Sequence, residues 1–143
     1  MVLNIMKKLI GITLYLTILI CFSCEEQGWF VKCSDCESTE PEKAYLSLKL
    51  KETGDQVFIR IYEGEIEDSI LYYSSETTLS QYSVQVGLNR EYTATATYTI
   101  NSNKYIAVDS AFPRVKYTKD QCEEACYFVY DKVLDLRLKY TAP

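Results

Sequence analysis

Cysteine is the residue type in this sequence whose spacing most clearly indicates chemistry. Four cysteines form two short pairs near the two ends of the chain, Cys33-Ser-Asp-Cys36 and Cys122-Glu-Glu-Ala-Cys126. Paired cysteines at such spacing serve as disulfide bridges, as the ligands of a four-thiolate zinc site, or as a redox-active dithiol. The compartment in which the chain folds decides between these uses, and the first residues of a chain direct it to its compartment.

The first 24 residues have the layout of a secretion signal. Lys7 and Lys8 precede an apolar run, residues 9–22, which is too short for a typical spanning helix, and Ser23-Cys24 follows it. The segment resembles a bacterial lipoprotein signal, in which the thiol after a small residue takes a diacylglyceryl group. Cys21 and Phe22 depart from that pattern. We expect residues 1–23 to be a signal peptide, with Met6 as a candidate start, and Cys24 to be lipidated.

Two other interpretations of this segment stay open. An ordinary signal peptide cut elsewhere would leave a soluble protein, and an uncut segment would be a retained membrane helix. Glu25 and Glu26 directly follow Cys24 and resemble the acidic tails of surface-exported lipoproteins in Bacteroidota-type bacteria.

Outside the cytoplasm, four cysteines beyond Cys24 favour two disulfides. A bridge from the Cys33/Cys36 pair to the Cys122/Cys126 pair would close a loop of about 90 residues, which stabilises a fold more than a bridge within either pair. We therefore predict the long bridges. In a strand, positions three apart face opposite sides and positions four apart face the same side, so at least one pair must lie in a turn. Zinc binding and a redox-active thiol remain the alternatives.

Composition restricts the remaining chemistry. The chain has no histidine, so it lacks the commonest general base and metal ligand. Residues 1–23 carry two lysines and no acidic residue, so their removal takes the net charge from −5 to −7. An acidic surface argues against nucleic-acid binding. We predict no enzyme activity, no catalytic residue, no metal and no cofactor.

The alternative function is that of a carboxylate- or metal-dependent hydrolase acting on carbohydrate, for which carboxylate side chains would be the functional groups. Two carboxyl groups facing each other across a cleft can hydrolyse a glycoside, and carboxylate oxygens can bind calcium. Both residue sets lack specific spacing, and solvated acidic turns are the simpler interpretation. The glycosidase set is Glu123, Glu124, Asp131 and Asp135, and the calcium set is Glu63, Glu65, Glu67 and Asp68.

Tyrosine is unusually frequent, with 13 residues in the chain. Exposed tyrosines on a sheet can stack on sugar rings, although tyrosine also suits strands in general. The candidate platform for a glycan consists of Tyr72, Tyr73, Tyr98 and Tyr105.

Period-2 alternation of apolar residues dominates the chain after Pro41. Residues 24–43 read as the lipidated cysteine, an acidic tether and a cysteine-clamped lead-in, and residues 44–143 as one domain. Strands are expected at 44–50, 57–62, 69–74, 82–88, 92–100, 104–109, 115–118, 127–130 and 133–140, with the first two forming a hairpin. Because each one-sided sheet must bury its apolar face, the pattern predicts an all-β, two-sheet antiparallel β-sandwich.

Two runs, residues 57–64 and 86–96, resemble immunoglobulin-like and prealbumin-like sandwich domains of surface lipoproteins. That resemblance implies that Leu88 and Tyr92 close the corner between two strands. The whole chain resembles small lipoproteins of Bacteroidota-type bacteria. We expect an outer-membrane lipoprotein, facing the periplasm or exposed on the cell surface. It would attach to the membrane through Cys24 and act as a binding or structural module for a glycan or a surface protein.

Overall fold

The computed structural model describes residues 31–68 and 70–139, and nine β-strands make up more than half of these residues. The predicted signal peptide and Cys24 lie outside the described residues. The strands are β1 (Lys43–Lys49), β2 (Val57–Glu63), β3 (Leu71–Thr77), β4 (Gln81–Gly87), β5 (Tyr92–Ile100), β6 (Asn103–Ala111), β7 (Arg114–Thr118), β8 (Cys126–Tyr130) and β9 (Val133–Asp135).

Two sheets form the body of the fold, and a separate hairpin follows them. The three-stranded sheet has the order β4-β1-β9, the four-stranded sheet has the order β3-β2-β5-β6, and β7 pairs with β8 alone. The predicted all-β sandwich is confirmed. Every pairing is antiparallel except β1 with β9, which is parallel.

Alternating residues build the core between the two sheets. One face of β1 contributes Leu46 and Leu48, and one face of β2 contributes Ile59 and Ile61, all fully buried. Across the four-stranded sheet, Ala94 and Ala96 leave room for the larger side chains of the facing strands. Leu134 and Leu136, at the end of the chain, complete the core.

The expected hairpin between the first two strands is wrong, because β1 and β2 belong to different sheets. β1 pairs with β4, whereas β2 pairs with β3 and β5. Alternation shows which face of a strand is buried, and both strands do bury the expected face. It does not show which strand lies alongside, and here the two apolar faces pack across the core.

The last strand is shorter than expected. β9 ends at Asp135, although Leu136 donates its N–H to Lys49 O at 2.9 Å and so extends the contact with β1. Leu138 is partly buried against the core, and Tyr140 lies outside the described residues.

Two buried tyrosines join separate parts of the fold through their hydroxyls. Tyr98 donates a hydrogen bond to Leu136 O at 2.8 Å and accepts one from Lys51 N at 3.0 Å. Tyr92 accepts a hydrogen bond from Gly87 N at 3.1 Å, which closes the corner between β4 and β5. Burial raises the pKa of both phenols, so both stay protonated at physiological pH.

Side chains close both open sides of the sandwich. At the β3–β4 side, Tyr72 donates to Gln85 O at 3.0 Å, and the hydroxyls of Tyr73 and Tyr82 lie 2.6 Å apart. At the β6–β9 side, Asp109 Oδ2 accepts a hydrogen bond from Asp135 N at 2.7 Å.

We expect Tyr98→Phe to lower the free energy of unfolding by about 1–3 kcal/mol, because it leaves a buried carbonyl and an amide without their partner. Urea denaturation measures the change. Tyr45→Phe is the matched control, since Tyr45 is 64% exposed, and it should shift stability by less than about 0.5 kcal/mol. Equal effects of the two substitutions would contradict a structural role for the Tyr98 hydroxyl.

Candidate functional site

The four cysteines of the two pairs form two long disulfides. Cys33 bonds to Cys122 and Cys36 to Cys126, with Cα–Cα separations of 5.7 and 5.5 Å. The predicted long bridges are thus confirmed. Cys33 lies in a 3-10 turn, Cys33–Asp35, and Cys122 lies in the loop between β7 and β8, so the pairs avoid two facing strands as geometry requires.

A short main-chain ladder reinforces the bridges. Glu37 N donates to Tyr127 O at 2.8 Å, and Tyr127 N donates to Glu37 O at 2.8 Å. The lead-in therefore lies along the edge of β8 that β7 leaves open. We call the two disulfides and this ladder the clamp; it fastens the segment that follows the predicted anchor to the β7–β8 hairpin.

The clamp also bears on the zinc and thiol alternatives. Cys36 Sγ lies 3.6 Å from Cys122 Sγ, and the sulfurs of Cys36, Cys122 and Cys126 all lie within 4.8 Å of one another. Such a cluster could hold a metal as thiolates, but each of these sulfurs is bonded in a disulfide. A disulfide sulfur carries no thiolate charge, so the oxidised clamp is a crosslink and not a ligand set.

The candidate tyrosine platform is not one surface. Tyr98 is 1% exposed and its ring lies in the core, so the prediction of an exposed stacking residue is wrong there. Tyr72 and Tyr73 lie at the β3–β4 side of the sandwich, whereas Tyr105 lies on β6, packed against the core. Alternation places Tyr98 and Tyr105 on the inner face of their sheet, because they pair with each other across β5 and β6.

Tyr72 is the most exposed of the four, and its hydroxyl is already bound to Gln85 O. Its ring stands edge-on to Tyr92, with ring centroids 5.3 Å apart. Tyr73 is held by Tyr82, and the hydrogen bond between the two raises the pKa of Tyr73. These contacts assign Tyr72 and Tyr73 a structural part in closing the sandwich.

The outward surface of the four-stranded sheet is a broad flat surface; its threonines on β5 are predicted from the sequence to be exposed, but they are not predicted there as a binding site. Its rows run from β2 across β5 to β6 as Phe58, Thr97 and Ile106, then Arg60, Thr95 and Val108, then Tyr62, Thr93 and Ser110. We call these nine residues the outer face. The signal was present in the sequence, since these residues alternate with the core positions of the same strands.

The outer face combines apolar, aromatic and cationic groups. The Arg60 guanidinium carbon lies 4.8 Å from the centre of the Phe58 ring, a cation–π arrangement. Ile106 is 64% exposed and Val108 is 53% exposed. Thr95 and Thr97, both half-buried, separate these residues, so the face offers apolar contact with hydroxyl groups between, whereas Thr93 at the end of the face is buried.

A shallow, open pocket of about 420 Å³ lies at one end of the outer face. Four carboxylates line it, together with Ile66, Thr93, Val108 and Ser110; they are Glu65, Glu67, Glu91 and Asp109. Asp109 is engaged in the fold, because its two carboxylate oxygens accept from Asp135 N and Ser110 N. Of the calcium set, Glu65 and Glu67 line this pocket, whereas Glu63 pairs with Arg90 at 2.8 Å.

The carboxylates of the glycosidase set serve the fold where the structure gives them partners. Asp131 accepts a hydrogen bond from Phe112 N at 3.1 Å. Asp135 receives both an Nε and an Nη hydrogen bond from Arg137, each 2.7 Å long. These bonds hold the pKa of Asp135 at about 2, whereas a glycosidase acid needs a raised pKa. Glu123 and Glu124 are exposed in the loop between Cys122 and Cys126.

Comparisons of the chain with protein-family models, with curated protein sequences and with solved structures give no match. Within residues 31–68 and 70–139, no helix has the length and apolar character needed to cross a membrane.

Removing one bridge of the clamp should cost far less than removing both. The bridges close loops with sequence separations of 89 and 90 residues, and while one is intact the other closes only a few additional residues. We expect Cys36→Ala with Cys126→Ala, or Cys33→Ala with Cys122→Ala, to lower the free energy of unfolding by about 2 kcal/mol. All four substitutions together should lower it by about 5–7 kcal/mol.

Urea denaturation without reductant measures this difference. The two paired variants control for each other, because each keeps one bridge of nearly equal loop length. If the loss of stability in the fourfold variant equals the sum of the losses in the two paired variants, the two bridges do not close one shared loop.

The Asp135–Arg137 pair should make stability depend on acid pH. The pKa of Asp135 is about 2 in the folded chain, below its unfolded value of about 3.9, so the carboxylate contributes its full stability above pH 4. That contribution is lost as the pH falls towards 2. We expect Arg137→Gln to lower stability at pH 7 by less than about 1 kcal/mol and to flatten the decline between pH 4 and 2.

Thermal unfolding followed across pH 2–7 tests this dependence. Lys43→Gln, at an exposed lysine, is the charge-matched control and should keep the decline of the unaltered chain. An unchanged acid profile in Arg137→Gln would contradict the role of the pair.

Proposed function

We propose that this protein is a lipid-anchored protein of the bacterial cell envelope that presents a β-sandwich as a non-catalytic binding or structural module. In this proposal residues 1–23 are a signal peptide, and Cys24 carries the lipid. The protein is attached to the outer membrane, on its periplasmic side or on the cell surface, and its ligand is a glycan or another surface protein.

The clamp is the observation that carries the proposal. Disulfides persist in oxidising compartments outside the cytoplasm, and both bridges here are long-range and structural. Cys33 follows Cys24 by nine residues, so the first bridge starts close to the proposed lipid. A domain attached through one end of its chain needs that end fastened firmly, and the clamp provides this with covalent bonds.

The tyrosine corner between β4 and β5 supports an immunoglobulin-like arrangement within the sandwich. In such domains a tyrosine near the start of a strand hydrogen-bonds to the main chain a few residues upstream, as Tyr92 does with Gly87. Domains of this architecture serve many unrelated functions, so the arrangement supports a module class and no particular ligand.

The outer face is the surface that we propose for ligand contact. It is built on three neighbouring strands of one sheet, which fix its side chains relative to one another. Its aromatic and apolar groups can cover the apolar side of a sugar ring or of a partner protein, and the threonine hydroxyls can exchange hydrogen bonds with either. The pocket acids at its end favour ligands without negative charge there.

Metabolic labelling with a palmitate analogue tests the anchor. We expect the full chain to label and Cys24→Ala to lose the label, because the lipid attaches to that thiol. Cys21→Ala is the matched control, since it removes a thiol only three residues away and should keep the label. Equal labelling of Cys24→Ala and the unaltered chain would contradict the proposal, as would recovery of the labelled chain outside the membrane fraction.

A further inference from the structure

One long strand edge of the sandwich has no partner among the described residues. β6 pairs with β5 on one side only, and it spans nine residues, Asn103–Ala111. The other edges are closed or short: Glu37 pairs with Tyr127 on β8, Tyr72 of β3 binds Gln85 O of β4 and so joins those two edges, and β7 and β9 have five and three residues. An exposed edge of this length is a template for another strand.

The turn before β6 determines which main-chain groups point outwards. Asn101 and Ser102 have φ angles of 50° and 65°, and they form a two-residue turn that pairs Ile100 with Asn103. The closing pair of such a hairpin exchanges both of its hydrogen bonds, so alternate residues from Asn103 to Ala111 bond to β5. The N–H and C=O groups of Lys104, Ile106 and Val108 therefore point away from the sheet.

The far end of this edge is blocked. Ser110 N also points outwards, and it donates a hydrogen bond to Asp109 Oδ1 at 3.0 Å. Asp109 Oδ2 at the same time binds Asp135 N, so β9 lies beside this end of β6. The part of the edge left open is Lys104–Val108, whose centre is Ile106.

We propose that a second copy of this chain pairs with β6 through this open segment, antiparallel, about a two-fold axis at Ile106. The geometry sets the register: Ile106 faces Ile106 of the second copy, and Lys104 faces Val108 of the second copy on either side. Each of these three pairs exchanges two main-chain hydrogen bonds, and the two four-stranded sheets become one continuous sheet.

Charge and apolar exposure favour a second copy as the occupant. Lys104 is the only charged residue in the open segment, and the two-fold arrangement keeps the two lysines at opposite ends of the ladder. Each lysine then lies opposite Val108 of the other copy, so no like charges face each other. The same pairing brings the exposed Ile106 side chains of the two copies into contact and joins the two outer faces into one continuous surface.

An edge-to-edge contact of this kind is small, so the dimer should be weak, and the concentration series must extend to about 1 mM. Sedimentation velocity on the purified full-length chain in detergent should show a monomer–dimer equilibrium. Ile106→Lys places two ammonium groups opposite each other and should raise the dissociation constant at least about tenfold. Leu79→Lys adds the same charge at a similarly exposed apolar residue after β3, at the opposite edge of the sheet, and should leave the constant unchanged.

A thiol at the two-fold axis tests the register without destabilising charge. Facing residues of a hydrogen-bonded pair have Cα atoms about 5.5 Å apart, a separation that a disulfide spans. Under mild oxidation Ile106→Cys should form a covalent dimer, with peptide mapping placing the bridge between the two introduced thiols. Val108→Cys is the matched control. In the proposed register residue 108 of each copy faces Lys104 of the other copy, so the two introduced thiols lie far apart and should crosslink far less.

Thermal unfolding by circular dichroism shows whether each variant is folded. If Ile106→Lys does not fold, crosslinking by the thiol variants tests the proposal instead. A chain that stays monomeric up to about 1 mM would overturn the proposal. So would a dimer that Ile106→Lys leaves intact while folded, or equal crosslinking by the two thiol variants. Pairing of β6 with an added extended peptide but never with a second copy would also overturn it.

Discussion

Burial of one face of each sheet against the other is the interaction on which the rest of the structure depends. The leucines of β1 and the isoleucines of β2 lie across the core from each other, and Ala94 and Ala96 make space for them. Because the hydrophobic gain grows with the apolar area removed from water, this packing fixes how the two sheets face each other. The hydroxyls of Tyr98 and Tyr92 then fasten main-chain groups that the packing has brought near.

The strands could be predicted from the sequence because period-2 alternation acts locally. It correctly predicts the inner residues of β1, β2 and β5, and the same pattern favours a sandwich, since two one-sided sheets must meet. The pairing of β1 with β4 and β9 could not be predicted in this way, because pairing depends on contacts between residues far apart in the sequence. The parallel contact of β9 with β1 is the clearest case: it joins residues near opposite ends of the domain.

In the candidate site, too, some features could be predicted from the sequence and others depend on contacts between distant residues. The cysteine spacing and the loop-entropy argument predict long bridges, while the exact partners depend on the 3-10 turn at Cys33–Asp35 and on the loop before β8. Tyrosine content alone could not separate a buried hydroxyl such as that of Tyr98 from an exposed ring. The threonines of β5 are predicted from the sequence to be exposed, but the rows that join them to β2 and β6 depend on strand pairing, so the outer face as a whole could not be predicted.

The clamp also determines which parts of the chain carry tension. If the protein is held at its beginning and pulled at its end, force enters through Cys33 and Cys36 and crosses directly to Cys122 and Cys126. The residues between the two pairs, which include β1 to β7, form a closed loop outside that path. Only the short stretch from β8 through β9 to the end of the chain lies in series with the load. Most of the sandwich is therefore shielded from stretching, and the parallel contact between β9 and β1 is the non-covalent joint that the force reaches first.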